Sequence, residues 1–221
     1  MDSSCNVAAN ASPNVTVGEV GDALRAVVKG VNIDKQHGLV VEVSRTSPKY
    51  LESLLALEVP ELKDEKIIIE ASARIPGSRA KIALSTMEAN IDPIGAIVGV
   101  KGVRINAVSA QLNAENIDCI EYSPILEVFV ARSLSPAIVK SVKIEKGAGE
   151  KGKDKAIVTI AEDQKARAIG KVGLNIRLAS MLTKCEIELN ILEGAITGDE
   201  EVTGNAKQQT KDVSELASLF K

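Results

Sequence analysis

The sequence predicts an α+β fold in which one unit is repeated in tandem after a short β segment. Two observations lead to this prediction. Hydrophobic patterns occur twice in the order α-β-β-α-turn-α-β, and a Gly-x-x-Gly turn lies at the same place in each copy. Of the 221 residues, 45% are hydrophobic but only 2% are aromatic. We therefore expect aliphatic cores, and the length allows two small domains.

The amino-terminal part is predicted to hold an irregular lead-in followed by a β-hairpin. Residues 1–20 show no clear period, whereas strand-like runs at 23–31 and 39–44 flank the polar turn at 34–38. The only histidine, His37, lies in this turn without neighbouring ligand candidates. We expect a structural or solvent-exposed role for it, which argues against a histidine-dependent catalytic triad.

The first repeated unit is predicted to span residues 47–122. Ser47 followed by Pro48 is typical of a helix start, and Asp92 is placed to cap a short helix before the first glycine turn. The pair Pro76-Gly77 marks the turn between two strands. The expected elements are a helix from Pro48 to about Leu57, strands at 66–73 and 80–85, helices at 94–98 and 103–112, and a strand at 117–122.

The second unit is predicted to span residues 123–193. Its expected elements are a helix at 124–134, strands at 138–144 and 156–160, helices at 163–169 and 174–182, and a strand at 185–192. A shift of 71 residues places Gly99 on Gly170 and Ser109 on Ser180, which indicates duplication. Residues 194–221 are polar and acidic, and we expect a flexible tail.

The two glycine turns are the candidate functional site. They are Gly99-Val100-Lys101-Gly102 and Gly170-Lys171-Val172-Gly173. Residues without a Cβ let another backbone approach closely, and the following helix directs its free N–H groups at the turn, so a phosphate group is the expected ligand. The lysines inside the turns, with Arg104 and Arg177 in the first turns of the following helices, add positive charge.

Beside each turn we expect a narrow aliphatic groove that admits about four unstacked nucleotides and no duplex. The candidate groove residues are Ile94, Val98 and Ile105 in the first unit and Ala168, Ile169 and Ile176 in the second. The sequence therefore predicts two binding sites for one single-stranded RNA, one at each turn. Lys101 makes the first turn the stronger expected phosphate site, because Val172 is apolar.

Other site classes are disfavoured. Cys5, Cys119 and Cys185 are far apart in sequence, so neither a disulfide framework nor a zinc site is indicated. The segment at 147–154 is close to a nucleotide-binding P-loop, but Asp154 stands where a hydroxyl residue is required and a strand pattern follows. We expect no catalytic residue, metal or cofactor, and read that segment as a flexible basic loop that touches RNA phosphates.

Charge and hydropathy limit the compartment and the partners that we expect for this chain. The net charge is −3, but residues 66–196 hold 18 Lys and Arg against 15 Asp and Glu, whereas both ends are acidic. No apolar run approaches the roughly 18 residues that span a bilayer, and the first residues lack the pattern of a signal peptide. We expect a cytoplasmic monomer with no membrane partner.

Several motifs resemble those of the bacterial NusA family of transcription elongation and termination factors, over roughly residues 21–193. The most specific are Ser44-Arg45-Thr46-Ser47-Pro48, Leu57-Glu58-Val59-Pro60-Glu61, Ala73-Arg74-Ile75-Pro76-Gly77-Ser78-Arg79-Ala80-Lys81, Ile91-Asp92-Pro93-Ile94-Gly95-Ala96 before the first glycine turn, and Asn175-Ile176-Arg177-Leu178-Ala179-Ser180 after the second.

This resemblance implies two bacterial-type KH modules, at 47–122 and 123–193, that pack rigidly in tandem and bind one extended RNA strand. It implies a partial OB-type barrel at 21–46, because the hairpin resembles only the last strands of the family's barrel. Arg74, Arg79 and Arg104 are implied as basic RNA contacts near the turns. The family's polymerase-binding amino-terminal domain has no counterpart here, so we expect a fragment or a shortened form.

The function implied by the resemblance is a non-enzymatic factor that binds nascent RNA and RNA polymerase and modulates pausing, termination and antitermination. Three alternatives stay open from the residues alone. A KH-type factor of ribosome assembly or translation would co-purify with ribosomal subunits rather than polymerase. An enzyme would hydrolyse nucleotide in a manner that depends on Lys153, and a protein-only interaction module would show no salt-dependent RNA binding.

Overall fold

The computed structural model describes residues 23–36 and 38–192. The predicted lead-in at 1–20, His37 and the predicted tail at 194–221 lie outside the described residues. Within the described part of the chain, no helix is both long enough and apolar enough to cross a bilayer.

The amino-terminal hairpin consists of β1 (Val27–Asp34) and β2 (Gly38–Ser44), paired antiparallel with Val27 opposite Ser44. It is joined to the first module by Val27, which packs against that module's core, and by Arg25, which donates to Gln111 at 3.3 Å. Between residues 23 and 192, with the gap at 37, this hairpin forms a sheet of its own. Most of its large apolar side chains are exposed, namely Val28, Val31, Ile33, Leu39, Val40, Val41 and Val43.

The first module has the predicted order of elements. These are α1 (Pro48–Glu58), α2 (Pro60–Lys63), β3 (Ile67–Ile75), β4 (Arg79–Thr86), α3 (Pro93–Val98), α4 (Val103–Gln111) and β5 (Asn116–Glu121). The predicted caps are confirmed, because Ser47 accepts from the Lys49 amide at 3.3 Å and Asp92 accepts from the Ile94 amide at 3.0 Å. The single-turn helix α2 was not predicted. It arises because Pro60 is well suited to a first helical position.

The second module repeats this order with α5 (Leu126–Ser133), β6 (Val139–Glu145), β7 (Lys155–Ala161), α6 (Lys165–Ile169), α7 (Leu174–Thr183) and β8 (Glu186–Leu192). In both sheets the first two strands are antiparallel and the last two are parallel, in the orders β3-β4-β5 and β6-β7-β8. The segment at 147–154 is the loop between β6 and β7. It is followed by a strand and not by the helix that a P-loop needs, as the sequence predicted.

The loop between β6 and β7 is held by hydrogen bonds from its backbone amides to two carboxylates. The Gly147 amide donates to Asp154 at 3.0 Å, and the Glu150 amide donates to Glu186 at 2.8 Å. Gly149 is required in this loop, because a Cβ there would lie 2.9 Å from the Lys153 carbonyl oxygen. The loop expected to be flexible is therefore tied to the start of β8.

The two modules share an apolar interface. One face of the first sheet packs on α1, α3 and α4, and its other face packs on α5 and α7 of the second module. The central strand β4 is buried from both sides, and its residues from Ala80 to Leu84, which include Lys81, are all buried. The interface cluster consists of Ala73, Ala83 and Ile120 from the first module and Phe129, Leu178 and Leu182 from the second.

Candidate nucleic-acid interface

The two glycine turns have the same backbone conformation. Gly99 has φ 72° and ψ 172°, and Gly170 has φ 74° and ψ 175°. A Cβ on Gly99 would lie 2.9 Å from the Cγ of Arg104, and a Cβ on Gly170 would lie 2.7 Å from the Cβ of Asn175. Both the positive φ and the close contact therefore require glycine at the first position of each turn.

The tips of the turns project into solvent. Val100 is 82% exposed and Val172 is 91% exposed. Lys101 and Lys171 are also exposed, and among the described residues neither side chain has a hydrogen-bond or ion-pair partner. The turns therefore present unpaired ammonium groups next to a backbone that another chain can approach.

Arg104 and Asn175 occupy the same place in the two modules and make the same kind of contact. Arg104 Nη1 donates to the Ala96 carbonyl oxygen at 2.7 Å, and Asn175 Nδ2 donates to the Arg167 carbonyl oxygen at 3.1 Å. Each side chain thereby ties the helix after the turn to the helix before it.

Arg104 also has a carboxylate partner, because its Nη1 lies 3.1 Å from Oε2 of Glu61 on α2. The pKa of Glu61 is held below its ordinary value, first by a hydrogen bond from its own backbone amide and then by Arg104. The predicted cation Arg177, by contrast, is exposed and has no side-chain partner within the described residues. Arg104 is the less available of the two for a phosphate group.

Arg74, the third predicted basic contact, lies in the core of the first module. Its guanidinium donates twice to the Glu115 carboxylate at 2.7 Å and once to the Arg45 carbonyl oxygen at 2.6 Å. The Tyr50 ring lies 5.8 Å from its central carbon. The structure therefore favours a packing role for Arg74 and gives a bound strand no direct access to it.

A cleft of about 300 Å³ runs along the exposed edge of β5. Helix α3 forms one wall through Ile94 and Val98, as predicted, whereas Ile105 is not part of the lining. The complete lining is Arg79, Ile94, Val98, Ile117, Asp118, Cys119, Ile120, Ser135 and Pro136. Because the last two residues belong to the second module, this cleft is built by both modules.

Charge at the cleft is carried by Arg79 and Asp118. Two N–H groups of the Arg79 guanidinium donate hydrogen bonds to the Asp118 carboxylate, from Nε to Oδ2 at 2.7 Å and from Nη2 to Oδ1 at 2.9 Å. These hydrogen bonds raise the pKa of Arg79. Burial raises the pKa of the neighbouring Cys119 thiol to about 12, so this cysteine is a neutral wall residue at physiological pH.

The groove predicted beside the second turn differs in character. Ala168 is fully buried in the core of the second module, and Ile176 packs against that core. Both side chains therefore contribute to the packing of the second module. The exposed residues around this turn are basic instead, because Lys165 and Arg167 on α6 join Lys171 and Arg177 at the surface.

Sequence reasoning missed Lys165, Arg167 and the contribution of Ser135 and Pro136 to the first cleft. Lys165 and Arg167 alternate with small residues just before a glycine turn, and this pattern could have predicted that both belong to the basic surface around the turn. No signal in the sequence placed Ser135 beside the first module, because that contact depends on how the two modules pack.

Two family models match this chain, one for each module. Residues 45–122 match the family described as "NusA-like first KH domain", and residues 126–195 match "NusA-like second KH domain". The solved structure "Crystal structure of APE1850" aligns with 66% of this chain and 97% of its own at 22% identity, with a TM-score of 0.48.

Three curated relatives carry the name "Transcription termination/antitermination protein NusA". The Helicobacter pylori protein is 46% identical over 92% of this chain and 55% of its own length. The Thermus thermophilus protein is 38% identical over 91% and 51%, and the Borreliella burgdorferi protein is 39% identical over 77% and 34%. The chain thus spans about half the length of the Helicobacter and Thermus relatives.

Proposed function

The chain belongs to the NusA family, and from that premise we propose that it binds one strand of RNA along both KH modules during transcription. In this proposal it contacts nascent RNA at the elongating RNA polymerase, acts as a cytoplasmic monomer without catalysis, and modulates pausing, termination and antitermination. The relatives' name supports the setting, and the geometry of the turns supports the binding mode.

The matched conformation of the two glycine turns is the observation that carries this proposal. Each turn combines an exposed lysine, which has no side-chain partner within residues 23–36 and 38–192, with the amino-terminal end of a helix of nine or ten residues. Such an end directs backbone N–H groups and a partial positive charge at the turn, which favours an anionic group. Two copies of such a turn suit the repeated phosphates of a single nucleic-acid strand.

The cleft beside the first turn supports recognition of bases. Its aliphatic lining residues are Ile94, Val98, Ile117 and Ile120, and the cleft lies on the edge strand β5, where backbone polar groups are available. A groove of this kind accepts unstacked bases, whereas a duplex is too wide. Phosphate contacts at the turns would supply affinity, and base contacts in the cleft would supply sequence preference.

The first turn allows a direct test of the proposed phosphate contact. Replacing Val100 and Lys101 with Asp places two carboxylates where a phosphate group would lie. We expect at least a tenfold loss of affinity for unstructured single-stranded RNA, on the order expected when a charged contact becomes repulsive. Fluorescence anisotropy with a labelled RNA 12-mer measures the affinity.

A matched control makes the same change in net charge elsewhere in the first module. Lys66→Asp with Met87→Asp alters two exposed residues outside the proposed interface. We expect affinity close to that of the native chain, with circular dichroism confirming that both double variants fold. Native affinity in the turn variant would refute the proposed contact, and equal loss in both variants would indicate a response to overall charge.

A further inference from the structure

Lys81 is a fully buried lysine at the boundary between the two modules. It lies on β4 on the face that packs against the second module, and its side chain is 0% exposed. Its ammonium donates to the Ser135 carbonyl oxygen at 2.7 Å and lies 3.5 Å from Oδ2 of Asp118. Burial lowers the pKa of Lys81, and the Asp118 carboxylate opposes that effect.

Stability alone does not explain a lysine at this position. A buried charge carries a large desolvation cost, and apolar residues of similar volume replace buried charges in many proteins without loss of stability. The cluster of buried side chains at this interface is apolar, with Ala83 and Leu178 among its members. What an apolar residue would lack is a directed bond to a single acceptor, and the best-attested use of such a bond is to fix register between packed elements.

The segment that accepts this bond is held from its other side as well. Asn175 Nδ2 donates to the Leu134 carbonyl oxygen at 3.0 Å, next to the Ser135 carbonyl that Lys81 engages. The same amide group lies 3.2 Å from the Ala168 carbonyl oxygen in the last turn of α6. Because Asn175 also abuts Gly170, this segment is connected directly to the second glycine turn.

A continuous series of polar contacts thus runs from the cleft to the second turn. It begins at Asp118 in the cleft wall, passes through Lys81 to the 134–135 backbone, and ends at Asn175 beside Gly170. We infer that Lys81 is a positioning residue that fixes the distance between the first cleft and the second glycine turn, so that one RNA strand engages both in a single register. This inference rests on the proposed function, since it concerns how the same surface selects its ligand.

A fixed distance has a measurable consequence. When two weak sites are held rigidly, a ligand that matches their separation gains affinity from the high effective concentration of its second half, and a mismatched ligand does not. If the modules could shift against each other, ligands of several lengths would gain similarly. The dependence of affinity on ligand spacing therefore reports on rigidity, whereas affinity for a single segment does not.

The test uses labelled RNAs with two randomised tetranucleotides joined by between zero and eight abasic residues, and a single tetranucleotide as reference. Affinities are measured by fluorescence anisotropy for the 221-residue chain, for Lys81→Met and for the control Lys49→Met, which changes an exposed lysine on α1. We expect a sharp optimum of spacer length for the native and control chains, with about a tenfold gain over mismatched spacers. Lys81→Met should flatten this profile and leave single-tetranucleotide affinity unchanged.

Each outcome has a distinct meaning. A sharp native optimum that persists in Lys81→Met overturns the inference and leaves the proposed function intact. Absence of RNA binding by the native chain overturns both. If Lys81→Met does not fold by circular dichroism, Lys81→Gln takes its place, because its shorter amide does not reach the Ser135 oxygen; a sharp optimum in that variant equally overturns the inference.

Discussion

At one equivalent position in each module, a side chain joins the helix after the glycine turn to the helix before it. Arg104 in the first module and Asn175 in the second reach back to carbonyl groups of the preceding helix, although one side chain is charged and the other is neutral. The shared requirement is a donor of the right reach, not a charge. Arg104 is held by the fold itself through the Ala96 carbonyl oxygen, and its contact with RNA stays a prediction.

Val172 provides a prediction at this scale. It lies at φ 53° and is 91% exposed, so a β-branched side chain adopts a left-handed conformation while it projects into solvent. Asn tolerates this conformation much better. We expect Val172→Asn to raise stability by about 1 kcal/mol, a rise in Tm of about 2–4 °C for a chain of this length. Thermal denaturation followed by circular dichroism measures the change.

Val100→Asn is the matched control for Val172→Asn. Val100 is an exposed valine in the equivalent turn, but its φ is not among the positive values. We expect its Tm to change little. Equal Tm shifts in the two variants would show that removal of an exposed valine, rather than relief of backbone strain, stabilises the chain.

At the scale of elements, local sequence signals were sufficient for most of the fold. Ser47-Pro48 and Asp92-Pro93 located the starts of α1 and α3, because caps and proline act within a few residues. The order of helices and strands in both modules is confirmed. Helix α2 was missed because a single turn of four residues has too short a pattern to detect.

Helix α2 also gives a prediction about acid stability. Its Glu61 contacts Arg104 and has a folded-state pKa below the ordinary value of 4.5. A depressed carboxyl pKa contributes stability that is fully present above the unfolded-state pKa and is lost as the pH falls through the folded-state value. We therefore expect Glu61→Gln to be less stable than the native chain at pH 7, with the difference shrinking below about pH 4.5.

Urea unfolding at pH 7, 4.5 and 3 measures this difference in stability. Glu88→Gln serves as the control, because Glu88 is exposed and its side chain has no partner among the described residues. Its stability should follow that of the native chain at each pH. A Glu61→Gln difference that stays constant from pH 7 to pH 3 would show that the ionised carboxylate does not act through this contact.

At the scale of the whole molecule, the sequence was less informative. The interface in which Leu178 and Leu182 pack on the first sheet joins residues far apart in the chain. Nothing in local periodicity distinguishes a leucine buried within a module from one buried between modules. The composite cleft that includes Ser135 and Pro136 follows from that packing, so it emerged only from the structure.

The distribution of charge over the whole surface leads to the last prediction. Sequence reasoning favoured the first turn as the phosphate site, but Arg104 is paired there and Lys101 is the remaining cation of the turn. The second turn presents exposed Lys171 and Arg177, with Lys165 and Arg167 on the helix before it. We therefore expect the second turn to contribute more of the salt-dependent part of RNA affinity.

This expectation can be measured as the slope of log affinity against log salt concentration. Each phosphate neutralised on a single strand contributes about −0.7 to that slope. Lys171→Met with Arg177→Met should reduce its magnitude by about 1.4, and Lys101→Met by about 0.7. Lys140→Met with Lys143→Met removes two exposed lysines from β6 of the same module and should leave the slope near its native value. An equal reduction in that control would mean that overall charge, rather than contact at the turn, governs binding.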